Sequence, residues 1–158
     1  MGKRIRYNIG DVFLIDLENG FKGAGRVLKK DMATIFIELY KMKPIKDKSE
    51  FDFEAAIKEK PISMIWCYDD GLRSGEWEII DNKPIEGEIE MPYFWTYDSG
   101  FKKYFLIKGT DDYLGEDTGI ELSKEEIENY DGYGIGTTIS VRNIYIHKLR
   151  KVNMLSIS

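Results

Sequence analysis

Histidine and cysteine are nearly missing from this chain of 158 residues, which has one of each. A lone Cys67 rules out an internal disulfide and, with it, the stapled scaffolds of small secreted domains. With His147 as the single imidazole, a zinc centre built from several histidine and cysteine ligands cannot be assembled. Long apolar runs are absent too: nothing approaches the ~20 residues that a membrane-spanning helix needs. The opening "MGKRIRYNIGDVF" is basic but has no apolar h-region of a secretory signal. "MGKRIR" also lacks the Ser or Thr that a myristoylation signal places sixth. Together these absences lead us to expect a cytoplasmic protein. Internal repeats, low-complexity tracts and linker-like stretches are also missing, so residues 1–158 are expected to form a single domain.

The chain has ample apolar material for a core: 42% of its residues are hydrophobic and 13% are aromatic. That composition suits a packed, strand-rich domain. The net charge of −5 is unevenly spread. Residues 1–48 carry 11 Lys/Arg against 6 Asp/Glu, whereas "DDYLGEDTGIELSKEEIENYD", Asp111 to Asp131, sets nine acids against Lys124 alone. An acidic run is usually a solvated surface, but a patch of one sign also steers a basic partner toward it. Non-specific DNA binding is a poor match for a net acidic chain.

"GDVFLIDL" alternates like a strand, "ENG" supplies the Asn19-Gly20 hairpin signal, and "FKGAGRVLKK" returns as a second strand. "MATIFIELY", Met32 to Tyr40, is expected as a third after a tight Lys30-Asp31 connection, giving an antiparallel meander. "KMKPIKDKSE" reads as an exposed loop, and "FDFEAAIKEKP", Phe51 to Pro61, as a short helix ended by proline. "ISMIWCY" is a buried strand, "DDGLRSG" a turn, and "EWEIID" a further strand. "MPYFWTY" and "KYFLIKG" flank "DSGFK" as a hairpin. "LSKEEIENY" carries a capping box of Ser123 and Glu126. The β-branched density of "TTISVRNIYIHKLRKV" inclines residues 137–150 to strand, with helix as the alternative. The expected class is α+β and mainly β: an antiparallel, strongly twisted sheet or partly open barrel with two short helices.

Few constellations carry chemistry. Gly23-Ala24-Gly25 begins a dinucleotide fingerprint, but Leu28 occupies the third glycine position and a strand follows, so no helix N-terminus waits for a phosphate. The glycines then serve backbone geometry, as a bulge or a close approach. Cys67 lies in "MIWCYDD", among apolar neighbours that mark a buried thiol and not a nucleophile. The paired acids Asp69-Asp70, Asp111-Asp112 and Glu116-Asp117 point apart as sequence neighbours, and an EF-hand spacing is missing. No catalytic residue, cofactor or metal ligand is assigned. The aromatics say more. "MPYFWTY" is too aromatic on both faces to bury completely, so Tyr93, Trp95 and Tyr97 are candidates to anchor a partner. Asp111, Asp112, Glu116, Asp117 and Glu121 are the matching acidic candidates.

"GDVFLIDLENGFKGAGRVL", "IFIELY" and "GEWEIIDNKPI…MPYFW" together resemble immunity protein family 26 of bacterial polymorphic toxin systems. The likeness rests on Gly10-Asp11-Val12-Phe13, the Gly20–Gly25 hairpin, Ile37-Glu38-Leu39-Tyr40, Trp77-Glu78-Ile79-Ile80, Pro84 and Pro92-Tyr93-Phe94, and it runs from Ile9 to Phe94. It implies a cytoplasmic binding protein that neutralises a cognate toxin, possessing no catalysis of its own. Many such toxins are nucleases with basic clefts, which carboxylates could occupy in place of nucleic acid. Two other readings stay open. "GDVFLIDL" is also similar to the first strand of the MazF-like toxin ribonucleases, in which case Arg26 would carry the chemistry; its ordinary reading is a solvated strand-edge cation. Alternatively, a small β-domain could bind a ligand or peptide through a Trp/Tyr groove.

Overall fold

The computed structural model describes residues 4–156. Contacts divide the chain into two compact units, one formed by the residues up to Glu86 and those from Gly136 onward, the other by Gly87–Ile135.

A six-stranded sheet, all of whose residues except Ile135 belong to the first unit, consists of β1 (Asp11–Asp16), β2 (Lys22–Asp31), β3 (Thr34–Leu39), β4 (Ser63–Tyr68), β5 (Ile79–Asn82) and β10 (Ile135–Gly136), in the order β10-β4-β3-β2-β1-β5. Strands β1 to β3 form the expected antiparallel meander, β4 adds antiparallel to β3, and β5 adds antiparallel to β1. The first hairpin turns where its chemistry allows. Asn19 and Gly20 both take left-handed φ angles, 57° and 79°, and Phe21 N donates to Glu18 O at 3.0 Å, the two-residue turn whose twist matches its strands. The second connection comes later than expected, at Met32 and Ala33, with Met32 at φ 54°. Strand β2 therefore reaches Asp31, and β3 starts at Thr34.

Alternation along these strands loads both faces. Phe13, Ile15, Val27, Ile37 and Leu39 point to the main core, where Leu72, Trp77, Val141, Tyr145 and Leu149 meet them. Trp77 stacks on Phe13 with ring centroids 5.2 Å apart. Leu14, Ala24 and Tyr40 point the other way, beneath Ala56, Phe51 and Phe53. A sheet covered on both faces explains why "IFIELY" and "ISMIWCY" are apolar almost throughout.

Among the described residues, three α-helices accompany the strands: α1 (Phe53–Ala56), α2 (Asp70–Ser74) and α3 (Thr138–Lys151). Helix α1 is shorter than the Phe51–Pro61 expectation. Asp52 caps it by accepting from Ala55 N at 3.3 Å. Helix α2 replaces the expected "DDGLRSG" turn and ends on left-handed Gly75, φ 83°. The largest correction is α3, a 14-residue helix where strand was favoured for residues 137–150. Its N-terminus is a capping box between Thr137 and Ser140, and Lys148, Arg150 and Lys151 complement the negative end. The buried residues Val141, Tyr145 and Leu149 recur every four positions, while Ile139 is exposed. Dense β-branching hid that stripe, and burial of one face outweighs intrinsic propensity.

Tyr145 also settles what Gly23 is for. Its hydroxyl donates to Tyr40 O at 2.6 Å and accepts from Ala24 N at 3.2 Å, joining β2 to the chain just past β3 where the ladder opens. The ring crosses directly over Gly23, where a Cβ would stand 2.4 Å from Cε2. At Gly25 a Cβ would lie 2.4 Å from the backbone oxygen of Glu38. The glycines permit close approach, as expected.

The second unit holds a four-stranded sheet in the order β8-β7-β6-β9, from β6 (Tyr93–Asp98), β7 (Lys103–Lys108), β8 (Glu116–Leu122) and β9 (Asp131–Gly132). The β6–β7 hairpin is the one expected, while β9 runs parallel to β6. Ser123 and Glu126 exchange the two bonds of a capping box, at 3.1 and 3.0 Å, and open a 3₁₀ turn at Glu126–Asn129. The fold is α+β and mainly β as expected, but it consists of two sheets and no closed barrel, and α3 exceeds the two short helices foreseen. Among the described residues, no helix is long and apolar enough to cross a membrane.

Candidate functional site

Charged residues inside buried strands are costly unless paired. The second face of the first sheet contains two, brought side by side by the β2–β3 register that sets Arg26 opposite Glu38. Arg26 Nε donates to Glu38 Oε2 at 2.9 Å, and the Tyr40 hydroxyl donates to the same oxygen at 2.6 Å. Arg26 Nη1 reaches Lys83 O at 3.1 Å, and its guanidinium lies 5.2 Å from the Phe53 ring centroid. Only 16% and 10% of the Arg26 and Glu38 side chains are exposed. This network floors a cleft of about 450 Å³. Phe53, Ile57, Pro61 and Pro84 form its apolar walls, and Glu54, Glu59 and Glu86 stand with Lys83 around it.

Arg26 is therefore no solvated strand-edge cation: β2 is an interior strand, and the guanidinium is neutralised within the fold. Its signal in the sequence was a charge inside "GRVL" facing another inside "IFIELY", which only the register makes into a pair.

Burial, helped by the charge and hydrogen bond of Glu38, raises the Tyr40 phenol well above its usual value against the opposing pull of Arg26. Burial likewise raises Tyr145 and Cys67, and burial plus the bond to Asp69 raises Tyr7. The folded chain keeps these protons above pH ~9–10, where an unfolded chain releases them, so stability must fall as pH rises. Each retained phenolic proton removes about 1.4 kcal/mol per pH unit above pH ~10. Urea midpoints measured at pH 8.0, 9.5 and 10.5 should decline with increasing steepness. A flat profile would contradict the buried phenols.

The partner-binding candidates from the sequence all fall in the second unit. Tyr93, Trp95 and Tyr97 alternate onto one face of β6, and Tyr104 joins them, 5.7 Å from Trp95 and 5.0 Å from Tyr97 between centroids. Tyr93 and Tyr97 are 43% and 49% exposed, and Trp95 is half-buried. Of the acids, Glu116 shares this face, in one row with Lys108 and Tyr93. Asp117 and Glu121 project from the opposite face, Glu121 pairing with Lys103 at 3.4 Å. Asp111 and Asp112 occupy the exposed loop between β7 and β8, where Asp112 accepts from Leu114 N at 3.0 Å. The aromatics are thus brought together, and the acids are divided around them.

Trp66 and Trp77 are buried in the first unit, as is Cys67, while His147 is exposed on α3. Among the described residues, no three His, Cys, Asp or Glu side chains are grouped to hold a metal ion.

Neither the curated proteins nor the solved structures include a match to this chain. A family model described as Immunity protein 26 does match, over residues 8–106. That span takes in β1 through β6 and most of β7, including Arg26, Glu38, Tyr40 and the aromatics of β6, and stops before the acidic Asp111–Asp131 segment. With well over half of its length matched, the chain belongs to the Immunity protein 26 family.

Proposed function

We propose that this protein neutralises a cognate bacterial toxin by binding it, without catalysis of its own, in the cytoplasm of the cell it protects. Family membership is the single observation that carries this reading. The second unit supports it with a docking surface of suitable chemistry. Tyr93, Trp95 and Tyr97 offer rigid, amphipathic contact area of the kind that anchors protein interfaces. Glu116 shares that face, Asp111 and Asp112 are exposed in the loop between β7 and β8, and Asp117 and Glu121 add exposed carboxylates on the opposite face of the same sheet. Such carboxylates accelerate encounter with a basic surface, such as the phosphate-binding cleft of a nuclease.

The test uses a candidate toxin taken from the reading frames neighbouring this gene. Co-expression should preserve viability, and the two chains should co-purify. Exchanging Asp111, Asp112 and Asp117 for Asn and Glu116 for Gln should slow association about tenfold at low salt while dissociation changes little. Tyr97→Ala should instead hasten dissociation. An association rate indifferent to the four exchanges rejects the acidic steering. Loss of viability despite co-expression rejects neutralisation.

A further inference from the structure

The cleft above the Arg26–Glu38 pair is unassigned by anything so far. Resting on the binding role just proposed, we infer that it receives one basic side chain, an arginine or lysine carried on a loop of the bound protein. Its floor has no charge to spare: Arg26 is matched by Glu38, and Tyr40 holds the same carboxylate oxygen. The walls are apolar, and Phe53, Ile57, Pro61 and Pro84 are the surfaces along which a methylene stem packs.

The rim decides the sign of the ligand. Glu54, Glu59 and Glu86 are all exposed. Lys41 approaches Glu59 at 3.7 Å, and Lys83 lies 3.7 Å from Asp81, which leaves Glu54 and Glu86 without a cationic partner among the described residues. An anion entering here would meet excess carboxylate. A cation on an apolar stem would complete the charge balance and bury its stem at once. Phe53 already carries two cations, Arg26 and, at 5.4 Å, Lys83. The incoming charge is therefore assigned to the carboxylates and not to the ring. A volume of about 450 Å³ lies within the ~300–1,000 Å³ of pockets that bind compact ligands, enough for a single side chain with its flanking backbone.

The probe is the tripeptide acetyl-Gly-Arg-Gly-amide, titrated into the full chain by backbone amide NMR, with the citrulline tripeptide as an uncharged twin. Shifts should map to residues 53–61 and 83–86 and saturate in the millimolar range. The citrulline peptide should bind at least about fivefold more weakly. Glu54→Gln with Glu86→Gln, both at exposed positions, should weaken the arginine peptide by a similar factor, whereas Asp111→Asn with Asp112→Asn should not. Equal binding of the two peptides, shifts confined to residues 111–131, or indifference to the Glu54/Glu86 exchange would each overturn the inference. If the peptide ignores the cleft while co-expression still protects cells, this inference alone falls. If the peptide binds there and the cells die, the neutralising role falls and the cation preference of the cleft stands.

Discussion

Gly23→Ala is expected to cost roughly 3–5 kcal/mol of stability, the sum of an overpacking strain and a lost hydroxyl bridge. The added methyl would lie 2.4 Å from Tyr145 Cε2 and 2.7 Å from its Cζ and hydroxyl oxygen, inside any allowed contact. The ring cannot yield cheaply. It is fully buried on α3, and its hydroxyl is fixed between Ala24 N and Tyr40 O. Moving the ring leaves the Ala24 N–H without that acceptor in a dry sheet, worth about 1–3 kcal/mol by itself. Tyr145→Phe measures this second part alone. Against a total stability of about 5–15 kcal/mol, the glycine exchange removes a large share. Urea unfolding provides the check, and a Tyr145→Leu background gives the control: with the ring shortened, alanine at position 23 should cost under about 1 kcal/mol more. An equal cost in both backgrounds would show that the ring is not what requires glycine.

The second large effect belongs to the ion pair. Glu38→Ala should destabilise by about 3–5 kcal/mol, because it leaves the buried Arg26 guanidinium and the Tyr40 hydroxyl without their shared acceptor. Arg26→Met should cost a similar amount by leaving Glu38 unmatched. The combined Arg26→Met, Glu38→Leu, Tyr40→Phe variant should be far less harmed than the single losses imply, within about 2 kcal/mol of the parent, since no buried charge or hydroxyl then remains unpaired. Additive losses in denaturant unfolding would mean that these three side chains do not act as one network.

Much of the first unit was legible because its signals are local. Asn19-Gly20 states its turn, alternation in "GDVFLIDL" states its strand, and the motifs from Gly10 to Phe94 were enough to name the family whose match extends over residues 8–106. The capping box of Ser123 and Glu126 was readable for the same reason, since both partners sit within four residues. Residues 137–150 give no such local signal, because their β-branched density competes with the buried stripe of Val141, Tyr145 and Leu149. The latter matters only once a sheet exists to bury it. Of the cleft, the sequence showed Glu38 and Tyr40 only as parts of a family motif, and Arg26 as an edge cation.

Alone, the amino-acid order determined the class of fold, the Asn19-Gly20 turn and most strands, because these depend on neighbours within a few positions and on side-chain period. It also determined that one histidine and one cysteine cannot make up a zinc site of several nitrogen and sulfur ligands. Tertiary structure decided the rest: that Gly23 makes room for a tyrosine 122 positions onward, that Arg26 meets Glu38 across a strand register, and that Tyr104 and Glu116 join the aromatics of β6 on one face while Asp117 and Glu121 project from the other. Each of these is a pairing between distant segments. Such pairings become favourable only when burial removes water from both partners at once, and no short stretch of sequence contains that information.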